Sequence, residues 1–369
     1  MRNSTLYKLA GPKTFRRSST KILKKWGGNL QNIEGSLREI YEPDGYSEPI
    51  RRKCLYYLET GDTDLFTEEE LDKLRIFLQA DQSGAEALIV AFDSEAGDYR
   101  QLFINNVKVH VYVAMKLFKD VWPLKMREKS GLDLDIETLD NTPIPKLKLN
   151  PQWRELDLLI KDSDNWPLTE RFYYFAKQTV HSGNYDIQWA RFILNVLEKS
   201  GGKINIPEHE GKRFLETYRG LFPEIPERNR RVRRQVDETK LIYNLFGFPY
   251  QITNYNITEH GYKEYYAWGP QSTVGEITRI AFTRLQEIIE ENRYKWDILA
   301  DTHDSYLVQC PLRDTSACKK AMQECMNQEL TSLVDGTVFH MKSECQAGFN
   351  WAKKKKDNNL LGLRELKWL

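Results

Sequence analysis

Two aspartates, 223 residues apart, each stand where an apolar strand ends, and this pair constrains the chain more than any other feature. Arg75 to Ala80 reads as a short buried strand closed by Asp81. Trp296–Thr302 and Ser305–Cys310 read as two strands around the tight turn His303-Asp304. If both strands belong to one sheet, Asp81 and Asp304 meet at a cleft. Such a pair suits a divalent cation, because hard ions such as magnesium take oxygen ligands and keep waters for substrate phosphates. Taken singly, each aspartate reads more readily as a solvated turn residue.

Between and after these strands the pattern is mainly helical. Glu86 to Ala91 turns helical, and a helix is expected from Thr169 as N-cap to Gly183. Gly275 to Asn292 repeats apolar residues at 3.6-residue spacing. Asp314 is placed to cap a further helix through Cys325. Residues 14–42 are turn-rich, and Lys119 to Trp166, polar and carrying several prolines, suggests an irregular insertion. The mixture points to α+β rather than a βαβ array. On the helix ending near Gly183, Lys177, His181 and Tyr185 follow at i, i+4 and i+8, one stripe if the helix extends that far. A cation and two flat rings suit a nucleotide; on spacing alone an amphipathic face with a snorkelling lysine is the plainer reading.

Composition excludes several classes. The 369 residues are 40% hydrophobic and 29% charged, which excludes a disordered chain. The net charge of +1 announces no polyanion, but residues 1–33 hold eight basic side chains and no acid. Five cysteines without CxxC spacing argue against a disulfide scaffold or structural zinc, and are expected as buried packing residues. The longest apolar run, Ala87 to Phe92, is far too short to span a bilayer. The arginines from Arg228 to Arg234 read equally as a solvated helix face or a template contact, and Gly201-Gly202-Lys203 as a turn.

Seven segments, in order along nearly the whole chain, carry a family resemblance. Thr14–Ser19 followed by Asn29-Leu30-Gln31-Asn32 resembles an RLSS…NLQN segment. Asp81–Glu86 resembles motif A (DYSQIE), and Val109-His110 the KDIH segment. Lys177–Tyr185 resembles motif B (KxxxFGxxYG), Pro270–Thr273 the PxQGT segment, His303-Asp304-Ser305 motif C (HDE), and Gly348–Trp351 the GxxW segment. Together they resemble the palm and fingers of a family A DNA polymerase, of the DNA polymerase I and phage type. The implied fold is an antiparallel palm sheet with inserted helical fingers: palm at 1–92 and 259–369, fingers at 93–258 with the insertion near 119–166.

The resemblance implies the following roles. Asp81 and Asp304 ligate two Mg2+ ions with the Gln82 carbonyl, and Lys177 pairs with the triphosphate as general acid toward pyrophosphate. His110 contacts the same phosphates, and His181 stacks on the nucleotide where the family usually has Phe or Tyr. Tyr185 sits beside the templating base, and Glu86 excludes a ribose 2′-hydroxyl. Arg17 and Gln271 read the DNA minor groove, Asn29, Gln31 and Asn32 contact DNA, and His303 supports the primer terminus. The partners implied are primer-template DNA and dNTPs, with no membrane and a cytoplasmic location (a host's cytoplasm if phage-encoded).

Departures from the family are Leu88 in place of an arginine, Ser305 in place of glutamate, and Tyr173 where an arginine usually precedes Lys177 by four residues. The chain begins almost at the first palm motif, so the expectation is a split or truncated polymerase whose thumb, and perhaps exonuclease, comes from a separate protein chain. On that expectation the basic N-terminus belongs to the palm rather than to a transit peptide. Ser305 leans toward a related single-subunit RNA polymerase; Glu86 and the NLQN segment lean back toward DNA synthesis. A catalytically idle nucleic-acid-binding subunit is the third reading.

Overall fold

Residues 75–82 are buried along nearly their whole length, so a strand built from them needs cover on both faces. In the computed structural model, which describes residues 6–8, 18–20, 35–82, 84–254, 256–302, 304–354 and 359–369, that cover is present. Among the elements formed, in chain order, are strand β1 (Arg75–Gln82) and helices α1 (Val109–Leu117), α2 (Phe172–Asn184), α3 (Trp189–Lys199), α4 (Glu224–Thr239) and α5 (Glu259–Asn292). Strands β2 (Asp297–Asp301) and β3 (Ser305–Pro311), helix α6 (Thr315–Met326) and strand β4 (Ser343–Gly348) follow. The four strands form one antiparallel sheet in the order β4-β1-β3-β2. The chain divides into two compact units, one of residues 1–85, 271–331 and 338–369, the other of residues 86–270 and 332–337.

The first unit is built on the sheet. Ile76, Leu78 and Ala80 lie opposite Cys310, Val308 and Tyr306, all fully buried. On this face the Tyr306 hydroxyl donates to the Met322 carbonyl of α6 (2.8 Å), and Gln82 Nε2 donates to Thr278 Oγ1 of α5 (2.8 Å). The opposite face carries Phe77, Leu307 and Ala300, packed with Trp351 and Leu363. A polar chain runs through that face. Trp351 Nε1 donates to Gln79 Oε1 (2.9 Å), Gln79 Nε2 donates to Ser305 Oγ (3.1 Å), and the Ser305 and Thr302 hydroxyls bond to each other (2.5 Å). Buried polar groups persist only when partnered in this way. Serine at position 305 therefore serves the packing of the sheet.

The second unit is helical around an aromatic core. Phe118, Trp122 and Phe172 meet at centroid distances of 4.7 to 6.3 Å, and Phe175 and Phe214 join them. The expected irregular insertion is instead largely helical: Trp122–Ser130, Ile136–Asn141, Ile144–Leu147 and Pro151–Asp162. Pro123, Pro145 and Pro151 stand in the first turns of three of these helices. There the missing N–H costs nothing, so these prolines start helices rather than break them. Thr169 is not the N-cap of α2. It lies in a 3-10 turn, Leu168–Glu170, and α2 begins at Phe172. Asp314 stands at the N-cap of α6 without capping it, and its carboxylate accepts from Trp296 Nε1 (2.9 Å).

The arginine run is tied up within the protein. Arg228 is buried and paired with Asp93 (2.6 Å), Arg231 meets the same carboxylate (2.9 Å), and Arg233 pairs with Glu259 (2.6 Å). All five cysteines are free and buried, and Gly201 and Gly202 form a turn with positive φ.

Replacing Ser305 by Ala removes the acceptor of the buried Gln79 amide. The variant is expected to lose about 1–3 kcal/mol of stability, read as a lower urea midpoint; an unchanged midpoint would contradict the packing role.

Candidate active site

Strand register brings the two aspartates together. Asp81 is the direct partner of Ser305 on one side and of Glu344 on the other. Beyond the last paired residue, the Gln82 N–H donates to the Asp304 carbonyl (3.0 Å), and the Asp304 N–H donates back to Thr302 (2.8 Å). The turn carrying Asp304 is thus held against the end of β1, and both aspartates are half-buried. The Gln82 side chain points the other way, into the core beside Thr278, Val274 and Met326. Only its backbone is turned toward Asp304. Among the described residues no cluster of three or more His, Cys, Asp or Glu stands ready to hold a metal. Two aspartates held at one strand end supply the hard oxygen donors that suit a cation which completes its shell with water and substrate oxygens, which is magnesium's habit.

The second unit holds the lysine-bearing helix. On α2, Phe172, Phe175, Ala176, Thr179 and Val180 are buried, while Lys177 and His181 are exposed. The helix stops at Asn184, so Tyr185 continues the stripe from just outside it and is buried. Its hydroxyl donates to Glu86 Oε2 (2.8 Å), and its ring meets His181 edge-on at 5.6 Å. The end of α2 is clamped: the Tyr218 hydroxyl donates to Asn184 Oδ1 (2.5 Å), and Asn184 Nδ2 donates to the Tyr99 hydroxyl (3.0 Å). Tyr218 packs so closely that a Cβ on Gly183 would lie 2.1 Å from its ring, which accounts for glycine there.

His110, in the first turn of α1, meets Tyr173 edge-on at 5.8 Å. It keeps a partly exposed edge, yet the protein packed around it pushes its pKa down to about 4, helped by the charges of Lys177, Lys108 and His181. The imidazole is therefore neutral near pH 7. Arg171 donates through Nε to the Trp166 carbonyl (3.2 Å). Gln271 is half-buried in α5, where the chain passes from one unit into the other. Arg17, Asn29, Gln31, Asn32 and His303 lie outside the described residues. Pattern reading missed Lys108 and Lys199, which stand near Lys177 or its neighbours but belong to no motif.

A family model, DNA polymerase family A, matches residues 198–353. That segment includes Asp304 and Gln271, while Asp81 and Lys177 lie before it. Across 94% of the chain the fold is similar to a solved structure described as the POL domain of Pol1 from M. smegmatis in complex with DNA primer-template and dNTP, at a TM-score of 0.60 and 15% identity. The match covers 48% of that structure, so the chain spans about half its length. No curated protein matches the chain. No helix among the described residues is long and apolar enough to cross a membrane.

The depressed pKa of His110 makes stability depend on pH. Below about 6.5 the unfolded chain takes up a proton that the folded one refuses until about pH 4. Stability is therefore lost as pH falls through that window. A histidine NMR titration should place His110 near 4, and Lys177→Met should move it upward by removing a neighbouring positive charge. A midpoint near 6.5 would contradict the geometry.

Proposed function

We propose that this chain, which carries a DNA polymerase family A region at residues 198–353 and the fold of a family A polymerase domain, adds deoxynucleotides to a primer 3′ end under the direction of a template. The observation that carries the reading is the Gln82 N–H to Asp304 carbonyl bond (3.0 Å), which keeps Asp304 against the strand end bearing Asp81. In this reading Asp81 and Asp304 hold two magnesium ions. When bound, such ions lower the pKa of the primer hydroxyl and stabilise the leaving pyrophosphate oxygen.

The remaining groups act on the nucleotide. In this reading Lys177, exposed on α2, neutralises triphosphate charge and gives a proton to the departing pyrophosphate. His110, neutral at working pH, contributes a hydrogen bond rather than a charge. His181 offers a flat ring to the base, held edge-on by Tyr185. Glu86, fixed by the Tyr185 hydroxyl, closes the sugar side against a 2′-hydroxyl. The buried Ser305 hydroxyl is engaged with Gln79 and Thr302, so the residue that leans toward RNA synthesis offers nothing to the sugar. Glu86 and Tyr185 favour the deoxyribonucleotide. The proposal includes a separate chain that supplies further grip on the duplex, tested by primer extension with and without proteins captured from the native source.

Asp81→Asn and Asp304→Asn are each expected to lower nucleotide incorporation by about 10³-fold with the circular dichroism spectrum unchanged; near-normal extension by either would overturn the assignment. Glu86→Ala should relax discrimination against rNTPs by about tenfold or more, measured as the ratio of kcat/KM for dNTP and rNTP. An unchanged ratio would remove Glu86 from the sugar pocket.

A further inference from the structure

A nucleoside triphosphate carries several negative charges, and Lys177 neutralises one. One turn before it, α2 presents Tyr173, an uncharged phenol, so a second cation has to come from another element. Helix α3 provides a candidate. It is joined to α2 where the Tyr174 hydroxyl donates to the Val196 carbonyl (3.5 Å) and Lys199 Nζ donates to Gln178 Oε1 (3.0 Å). Gln178 directly follows Lys177 in the chain, and Lys199 lies near enough to Lys177 for the two charges to act on each other.

Several lysines of this unit are neutralised by a carboxylate and Lys199 is not. Lys116 and Lys119 both pair with Asp140, Lys125 with Glu170, Lys161 with Asp157 and Lys212 with Glu208. Among the described residues Lys199, Lys177 and Lys108 form no such ion pair, and neither do Lys146, Lys148, Lys203, Lys240 and Lys263; what marks Lys199 is its bond to Gln178 and its nearness to Lys177. Lys199 instead spends one donor on a neutral amide and keeps two for another acceptor. Although Lys199 is exposed, the protein around its ammonium, and then the charge of Lys177, hold its pKa below the ordinary lysine value; Glu86 partly offsets this. Asp164 is a carboxylate whose titration Lys177 influences. Two ammonium groups close together, neither held in an ion pair, form a receptor for a polyanion.

We propose that Lys199 is a second phosphate-binding cation, contacting the triphosphate of the incoming nucleotide beside Lys177. The inference rests on the polymerase reading above. The shared chemistry is phosphate oxygen, which a DNA backbone also offers, so the test separates the two sources. Equilibrium binding of a non-hydrolysable dNTP analogue, KM for dNTP, and Kd for primer-template DNA are measured on wild type, Lys199→Met, Lys199→Arg and Lys177→Met.

Lys199→Met is expected to weaken analogue binding and raise KM by about tenfold, with DNA Kd unchanged and Lys199→Arg close to wild type. Analogue binding by Lys199→Met equal to wild type, while Lys177→Met loses it, would overturn the role of Lys199 alone. Weakened DNA binding with unchanged KM would likewise overturn it, by assigning the lysine to the DNA backbone. A wild-type chain that neither binds the analogue nor extends a primer would overturn the polymerase reading itself.

Discussion

The hydrogen bond from the Gln82 N–H to the Asp304 carbonyl continues the β1–β3 ladder one step beyond its paired residues. Without it, Asp304 would ride on a turn free to swing away from the sheet. With it, residues separated by most of the chain become neighbours at one strand end. The buried chain Trp351–Gln79–Ser305–Thr302 supports the same register from below, so a late segment of the sequence helps to hold β1 and β3 in step. A one-residue slip would turn Asp81 to the opposite face.

The second unit solves a different problem, the display of positive charge without self-repulsion. Its buried arginines Arg228 and Arg100 are offset by Asp93 and Asp335, and several lysines near the core of the unit have carboxylates of their own. Lys177 stands exposed on a helix whose opposite face is pinned by an aromatic core and whose end is clamped by Tyr218 and Asn184. Rigid presentation lowers the entropy lost when a ligand is bound. The neutrality of His110 follows from the same crowding, because a protonated ring there would face Lys177, Lys108 and His181.

The strands around Asp81 and Asp304 were legible because apolar runs that stop at a carboxylate have few other readings, and the hairpin was legible from its short polar turn. The start of α2 was not: Thr169 is a good cap by chemistry, but the aromatic core draws Phe172 inward and a 3-10 turn takes up the slack. The stretch 119–166 was misread because proline was weighed as a breaker, whereas Pro123, Pro145 and Pro151 occupy first turns. Lys199 had no local signal at all. Its relation to Lys177 arises from the packing of α3 on α2, which no spacing rule reports. The partnership of Ser305 with Gln79 was hidden for the same reason, since it depends on which strand lies beside which.

The central claim is that Asp81 and Asp304 act together, as one site, in holding the divalent cations. Titration of Mn2+ followed by electron paramagnetic resonance, with a dNTP present and no primer, tests it without recourse to turnover. The account predicts that wild type binds the ion and that neutralising either aspartate weakens binding to a similar degree, with no further loss when both are changed. Independent, additive losses, or binding that survives both substitutions, would contradict it.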